Sequence, residues 1–240
     1  MSIVFSATNA GIAEQARSMA RVNSTDWPTQ KIVNSANNWH DFVTGYAIGA
    51  DRRFQWDDTN HTKLPEGTTD LVLNQADYAF TTDEQGNSIV TLTGVSLVDA
   101  NSKEYPLKLV DRNDPDYDLA TFGKNSGTPS QYDKIADNIV RLDRKPASAD
   151  VSAYDIKFYF QRTGSYFTSS DTTKSPGVSP LLHRGYVIAC AYDIALTLGL
   201  ANISALAAER AKEEDKVVQY FADRNQDEMP VVTTEFNQYQ

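Results

Sequence analysis

Three histidines, one cysteine and 32 carboxylates are the side chains of this 240-residue chain best suited to chemistry, and their spacing decides what they can do. His40, His61 and His183 include no pair four residues apart, the separation that puts two imidazoles on one helix face and builds a zinc site. In WDDTNH, the residues Asp57, Asp58 and His61 form an acidic cluster that a hard cation could occupy, but Asp, Asn and Thr are also ordinary turn formers, so a turn is expected. Asp111, Asn113, Asp114 and Asp116 are spaced somewhat like a calcium loop, yet Pro115 stands where a ligand belongs and no glycine follows. Cys190 lies within YVIACAYDIAL, an apolar run at helical spacing, which is where a core cysteine is found. No G-x-S-x-G elbow, G-x-G-x-x-G loop or P-loop occurs. No catalytic, cofactor-binding or metal-binding residue is therefore assigned, and the chain is not expected to be an enzyme. A paired-acid hydrolase stays open only because so many carboxylates are present; it would need a cleft, one carboxyl with a raised pKa and a partner at catalytic separation.

Composition narrows the partners. Lys and Arg total 22 against 32 acids, a net charge of -10 with a pI near 4.7, which disfavours binding to nucleic acid through counterion release. No stretch approaches the roughly 20 apolar residues of a membrane span. The N-terminal residues lack the basic, apolar, small-residue order of a signal peptide, which predicts a chain made without secretion. A single cysteine rules out an internal disulfide, so packing alone must hold the fold.

The elements that would position any site follow from periodicity. A short helix is expected over 9–22, capped by Thr8 or Asn9. A longer one is expected over 28–50, with Thr25 and Asp26 as caps, Pro28 in the first turn, and Ile32, Val33, Ala36, Trp39, Val43, Tyr46 and Ala50 on one face. Lys31, Asn34, Asn38, Asp41 and Thr44 lie opposite. From about residue 54, β-branched and aromatic runs broken by turn clusters predict strands at 69–73, 77–80, 88–98, 104–109, 138–142 and 154–163. In the last, Tyr154, Ile156, Phe158 and Phe160 alternate with polar residues and mark a core face. Ser179-Pro180 opens another helix with Leu181, Leu182, Tyr186, Val187, Cys190, Ile194 and Leu198 as its apolar stripe, ending at Gly199, and a last helix runs from Asn202 to about 225. Residues 230–240 mix β-formers with polar residues and have no partner strand nearby in sequence, which suits either a free, disordered arm or a strand added to another chain's sheet.

The fold class is α+β, with helices near both termini packed together, a β-rich, sandwich-like insertion between them and an extended C-terminal arm. The expected units are 1–52 with 178–229 (helical), 53–177 (β-rich) and 230–240 (arm).

Four segments, FQWDDTNHTKLPEGTTDLVLNQADYAF, LTGVSLVDANSKEYPLKLVD, FYFQRTGSYFTSSDTTKSPGVSPLLHRGYVIACAYDIAL and FADRNQDEMP, together resemble head-to-tail connector (adaptor or neck) proteins of tailed bacteriophages. The resemblance covers residues 28–230, and its most telling pieces are TTDLVLNQADYAF and YFQRTGSYFTSSDTTKSPG. It implies a structural virion protein, made in the host cytoplasm, that docks as a ring, usually dodecameric, under the portal vertex. That ring extends the DNA channel and offers a platform to tail or nozzle proteins. The implied ring and portal contacts come from helices 28–50 and 179–225. The arm would reach into the portal or a neighbouring subunit, with Val231, Val232, Phe236 and Tyr239 as its binding residues. The shortest connectors are little more than helical bundles, so the hundred-odd β residues here are a departure from them. No membrane partner is implied, and packaged DNA would pass without specific binding, for which an acidic wall is suited because condensed counterions lubricate the backbone. The alternatives are a stopper, tail terminator or fibre-attachment protein, or a virion-associated carbohydrate or peptidoglycan hydrolase.

Overall fold

A computed structural model describes residues 3–5, 10–50, 66–83, 86, 88–112, 121–136 and 138–224. In chain order the elements are α1 (Ile12–Ala20), α2 (Thr29–Ala50), β1 (Glu66–Asp70), β2 (Asp77–Ala79), β3 (Ile89–Asp99), β4 (Glu104–Pro106), β5 (Lys108–Leu109), β6 (Gln131–Ala136), β7 (Ile139–Leu142), α3 (Ser148–Ala153), β8 (Tyr154–Arg162), α4 (His183–Leu198) and α5 (Ile203–Arg224). The protein is α+β, with helices near the termini and strands in the middle.

Both ends of the chain build one helical core around α4, which touches α1, α2 and α5. Residues 185–191 of α4 are all buried, as a helix enclosed on every side requires. Gly185 is needed where α2 crosses: a Cβ there would lie 2.8 Å from Cζ2 of Trp39. Upstream, α1 ends at a left-handed Arg21 (φ 59°), and the N–H groups of Arg21 and Val22 donate to the carbonyls of Ser18 and Arg17. The buried guanidinium of Arg17 then donates to the Trp27 carbonyl (3.1 Å) and the Thr29 hydroxyl (2.8 Å), fixing α1 to the start of α2. The turn before α2 is organised by Asn23, whose carboxamide accepts from the N–H groups of Thr25 and Asp26. At α4, the Ser179 hydroxyl accepts from the Leu181 N–H and Pro180 opens a single 3-10 turn, while Gly199 (φ 63°) closes the helix.

Three helix-face expectations fail. Leu181 sits in the 3-10 turn, whose tighter winding takes it off the α4 stripe, and is 65% exposed. Residues 196–199 are all exposed, so the last turn of α4, Leu198 included, projects past its packing partners. In α2, Tyr46 is exposed while Thr44 is buried, because the Thr44 hydroxyl satisfies itself on the His40 carbonyl one turn back.

The strands form two four-stranded sheets. One has the order β1-β8-β3-β4 and is antiparallel throughout; the other has the order β2-β7-β6-β5 and is antiparallel except for β5–β6. Val95, Leu97, Ile156, Phe158 and Phe160 of the first sheet share one core with Tyr78, Tyr132, Val140 and Leu142 of the second. The alternation expected in β8 holds as far as Phe160, with Ile156, Phe158 and Phe160 buried, and ends there because Gln161 and Arg162 are buried as well. The expected strand 104–109 divides at Leu107, whose N–H bonds Val95 of the first sheet while the next N–H, of Lys108, bonds Ser130 beside the second. β1 begins earlier than expected and stops at Asp70; Leu71 leaves the strand to enter the core, and Asn74 turns the chain at φ 62°. β6 and the one-and-a-half-turn α3 were not expected.

After β8, residues 163–178 strap back onto the helical core. Phe167 is buried against Phe5, with ring centroids 4.9 Å apart, and the Asn37 carboxamide brackets its backbone by accepting from its N–H (2.8 Å) and donating to its carbonyl (3.0 Å).

Candidate functional site

The residues singled out for chemistry are mostly built into the core. Cys190 is fully buried, its thiol donates to the Ile32 carbonyl at 3.8 Å, and burial pushes its pKa up, far from the thiolate a nucleophile needs. An alkylating thiol reagent is expected to leave native protein unmodified at neutral pH and to modify Cys190 fully in denaturant, as intact-mass measurement will show. His183 uses both nitrogens structurally: Nδ1 accepts from the Ile3 N–H and Nε2 donates to the Val178 carbonyl, each at 3.0 Å. Burial lowers its pKa, which keeps the ring neutral. His40 Nδ1 lies 2.7 Å from the Tyr186 hydroxyl. No group of three His, Cys, Asp or Glu suited to a metal occurs among the described residues. No helix among them is long and apolar enough to cross a membrane.

Around His40 the tyrosines resist ionisation. Burial and the Asp41 carboxylate, which accepts from the Tyr166 hydroxyl at 2.5 Å, raise Tyr166 to about 12, and full burial puts Tyr186 well above its ordinary value. A tyrosine whose pKa is higher folded than unfolded stabilises the fold fully below the unfolded value. That contribution is lost as pH rises through the folded value. Stability is therefore expected to fall between about pH 10 and 12, with the last of the tyrosinate absorbance appearing together with unfolding.

Among the described residues one carboxyl is raised by burial, that of Asp193 on α4, opposed by the Ser35 hydroxyl and Arg210. It lines a cavity of about 140 Å³ with Ser35, Asn38, Trp39 and Arg210. The Arg210 guanidinium also binds Glu214 at 2.9 Å and lies over the Tyr192 ring. This gives a raised acid beside a second carboxylate, but in a space smaller than the roughly 300 Å³ at which ligand pockets begin. The arrangement suits an interhelical polar contact among α2, α4 and α5. On the outer face of the first sheet, Lys157 joins Glu66 and Glu104, each at 2.9 Å, across three strands, and the Tyr159 hydroxyl donates to Glu104.

The larger concavity lies at one end of the second sheet. A cleft of about 410 Å³ is lined by Asn74, Gln75, Asp77, Lys124, Arg141 and Lys145. Its wall is held close by Gly123 (φ 72°), where a Cβ would come within 3.1 Å of the Leu142 carbonyl and 3.3 Å of Ala76 Cβ. The Arg141 guanidinium forks onto both Asp77 oxygens at 2.7 and 2.9 Å, which holds the Asp77 carboxyl below its ordinary range. Lys124 and Lys145 have no carboxylate within ion-pair distance among the described residues. The cleft thus carries a surplus of positive charge in a chain of net charge -10. No single-sequence motif marks it, because its polar residues come from separate turns and the end of β7.

Asp57, Asp58 and His61, the 113–116 part of the calcium-like loop and the arm residues Val231, Val232, Phe236 and Tyr239 lie outside the described residues. No protein-family model matches the chain, and no curated protein matches it.

Proposed function

We propose that this chain is a non-enzymatic structural protein of a tailed bacteriophage, the head-to-tail adaptor that assembles as a ring on the portal and presents a platform to the tail. The observation that carries the reading is the surface of the helical body, where Leu181 (65%), Leu196 (55%), Leu198 (44%) and Met19 (39%) remain exposed. Single exposed leucines are ordinary on a monomer; what supports the reading is their recurrence on the helical body, with Leu196 and Leu198 in one turn of α4, as apolar surface that a ring neighbour would cover. The segments that carry the resemblance give further support. TTDLVLNQADYAF links β1 to β2 and so joins the two sheets, and YFQRTGSYFTSSDTTKSPG is the end of β8 with the strap onto the helical core. Both are architectural joints, as expected of a family defined by shape and contacts. The helices 28–50 and 179–225 then supply ring and portal contacts, the β-rich unit faces outward or tailward, and DNA passes without specific recognition.

The test is electron microscopy of the tagged protein recovered from phage-producing cells. Channelled rings, or portal-bearing heads with the protein at the vertex, are the expected result. Recovery on tails alone would replace the adaptor by a stopper, tail-terminator or fibre-attachment role, and cell-wall hydrolysis by the purified chain would replace it by an enzyme.

A further inference from the structure

We propose that the basic cleft at the end of the second sheet receives residues 225–240 of a second copy of this chain. This rests on the arm having a protein partner, and it names the surface that takes it. Charge is the first support. Residues 121–145 hold five cationic side chains against three acidic ones, while residues 225–240 contain Asp227, Glu228 and Glu235 and no Lys or Arg. Lys124 and Lys145 line the cleft with no ion pair among the described residues, the Asp77 carboxylate there being forked by Arg141.

Backbone is the second support. β2 is an edge strand that pairs only with β7 among the described residues. The Leu142 N–H donates to the Ala76 carbonyl and the Phe80 N–H to the Asn138 carbonyl. By the alternation of an antiparallel ladder, the main-chain groups of Asp77 and Ala79 therefore point off the free edge. Gln75 donates its amide to the Asp77 carbonyl at 2.9 Å and the Ile89 N–H already occupies the Thr81 carbonyl, so among the described residues the open groups of this edge are those of Ala79 and the Asp77 N–H, room for a short incoming strand. The β-forming run VVTTEF, following two acids, has the composition to add such a strand with its carboxylates at the lysines. A long polyanion fits less well, since duplex DNA laid across the cleft would also meet the acidic remainder of the surface. A second copy is the donor because the acidic, cation-free segment that complements the cleft belongs to this chain itself and the adaptor reading sets its copies side by side in a ring.

The experiment uses full-length chain, mixing isotopically labelled and unlabelled copies before assembly and treating them with a zero-length carbodiimide that joins amines to carboxylates. Peptides linking Lys124 or Lys145 to Asp227, Glu228 or Glu235, and carrying one labelled and one unlabelled partner, are expected. The pair Lys124→Glu with Lys145→Glu removes the reacting amines and is therefore read as assembly, which should weaken about tenfold in a sedimentation titration, and adding Asp227→Lys with Glu228→Lys should restore it. Links confined to one isotope would assign the arm to its own copy and overturn the proposal, as would lysines that link elsewhere or not at all. Portal-bound rings without these links would overturn it while leaving the adaptor role intact.

Discussion

Replacing Ile194 with Ala is expected to lower stability by about 2–5 kcal/mol. Ile194 is fully buried on α4, the helix against which α1, α2 and α5 all pack, so the lost methyl groups leave a cavity that three neighbours must collapse together to fill. In a chain of this size each kcal/mol moves the thermal midpoint by about 2–4 °C, so a denaturant titration and a calorimetric scan will both register the change. Leu196, two residues on and 55% exposed, is the control. Its replacement by Ala should leave the isolated chain's stability unchanged within about 0.5 kcal/mol while weakening assembly. A near-zero loss at Ile194 would mean that α4 is not a core helix in the free subunit.

Asp83→Ala is the second large effect. Asp83 lies beside the Thr82–Ser88 bridge and pairs with Arg162 at the end of β8 at 3.4 Å, with only 6% and 3% of the two side chains exposed. Removing the carboxylate takes the charged partner from a buried guanidinium that keeps its bond to the Thr163 carbonyl, which is expected to cost about 3 kcal/mol, whereas replacing both partners by apolar residues of similar volume is expected to be near neutral. The double variant Asp83→Leu with Arg162→Met should therefore be more stable than Asp83→Ala alone. Equal stability of the two in a denaturant titration would show that the charge pair is not the determinant.

Where one physical pattern dominates a segment, the sequence discloses the structure. The period-two run in β8 and the helical stripes of α2 and α4 specify their elements because each presents a single kind of surface to a core. The pattern fails where a polar group is buried on purpose. β6 escapes because its core-side positions do not alternate as apolar residues: after Tyr132 comes Lys134, opposite Val140, while Asp133 on the other face is buried under the fork of Arg112 at 3.1 and 3.0 Å. α3 escapes because six residues of SADVSA hold no stripe; it is set instead by Asp150, which accepts from the Ala147 N–H and from the Thr128 hydroxyl. Thr44 shows the same limit within a helix that is otherwise clear. The basic cleft was illegible for a different reason. Its charges are unremarkable singly, and only the return of β7 beside β2 brings Lys124, Lys145 and Arg141 around one space.

The division of the helical core between the two ends of the chain has a consequence for synthesis. Phe5, α1 and α2 belong to a core that lacks its central helix until residues 183–198 have been translated, some 135 residues after Ala47. At about 5–20 residues per second the apolar faces of α1 and α2 wait on the order of 7–27 seconds on the ribosome. Every residue of the sandwich core lies between Leu71 and Phe160, so that unit is complete before the helical core can close. The nascent subunit thus carries a finished sandwich and an open helical face at the same time, and that interval is when holdase chaperones have their opening and when slow translation after residue 50 would most favour aggregation.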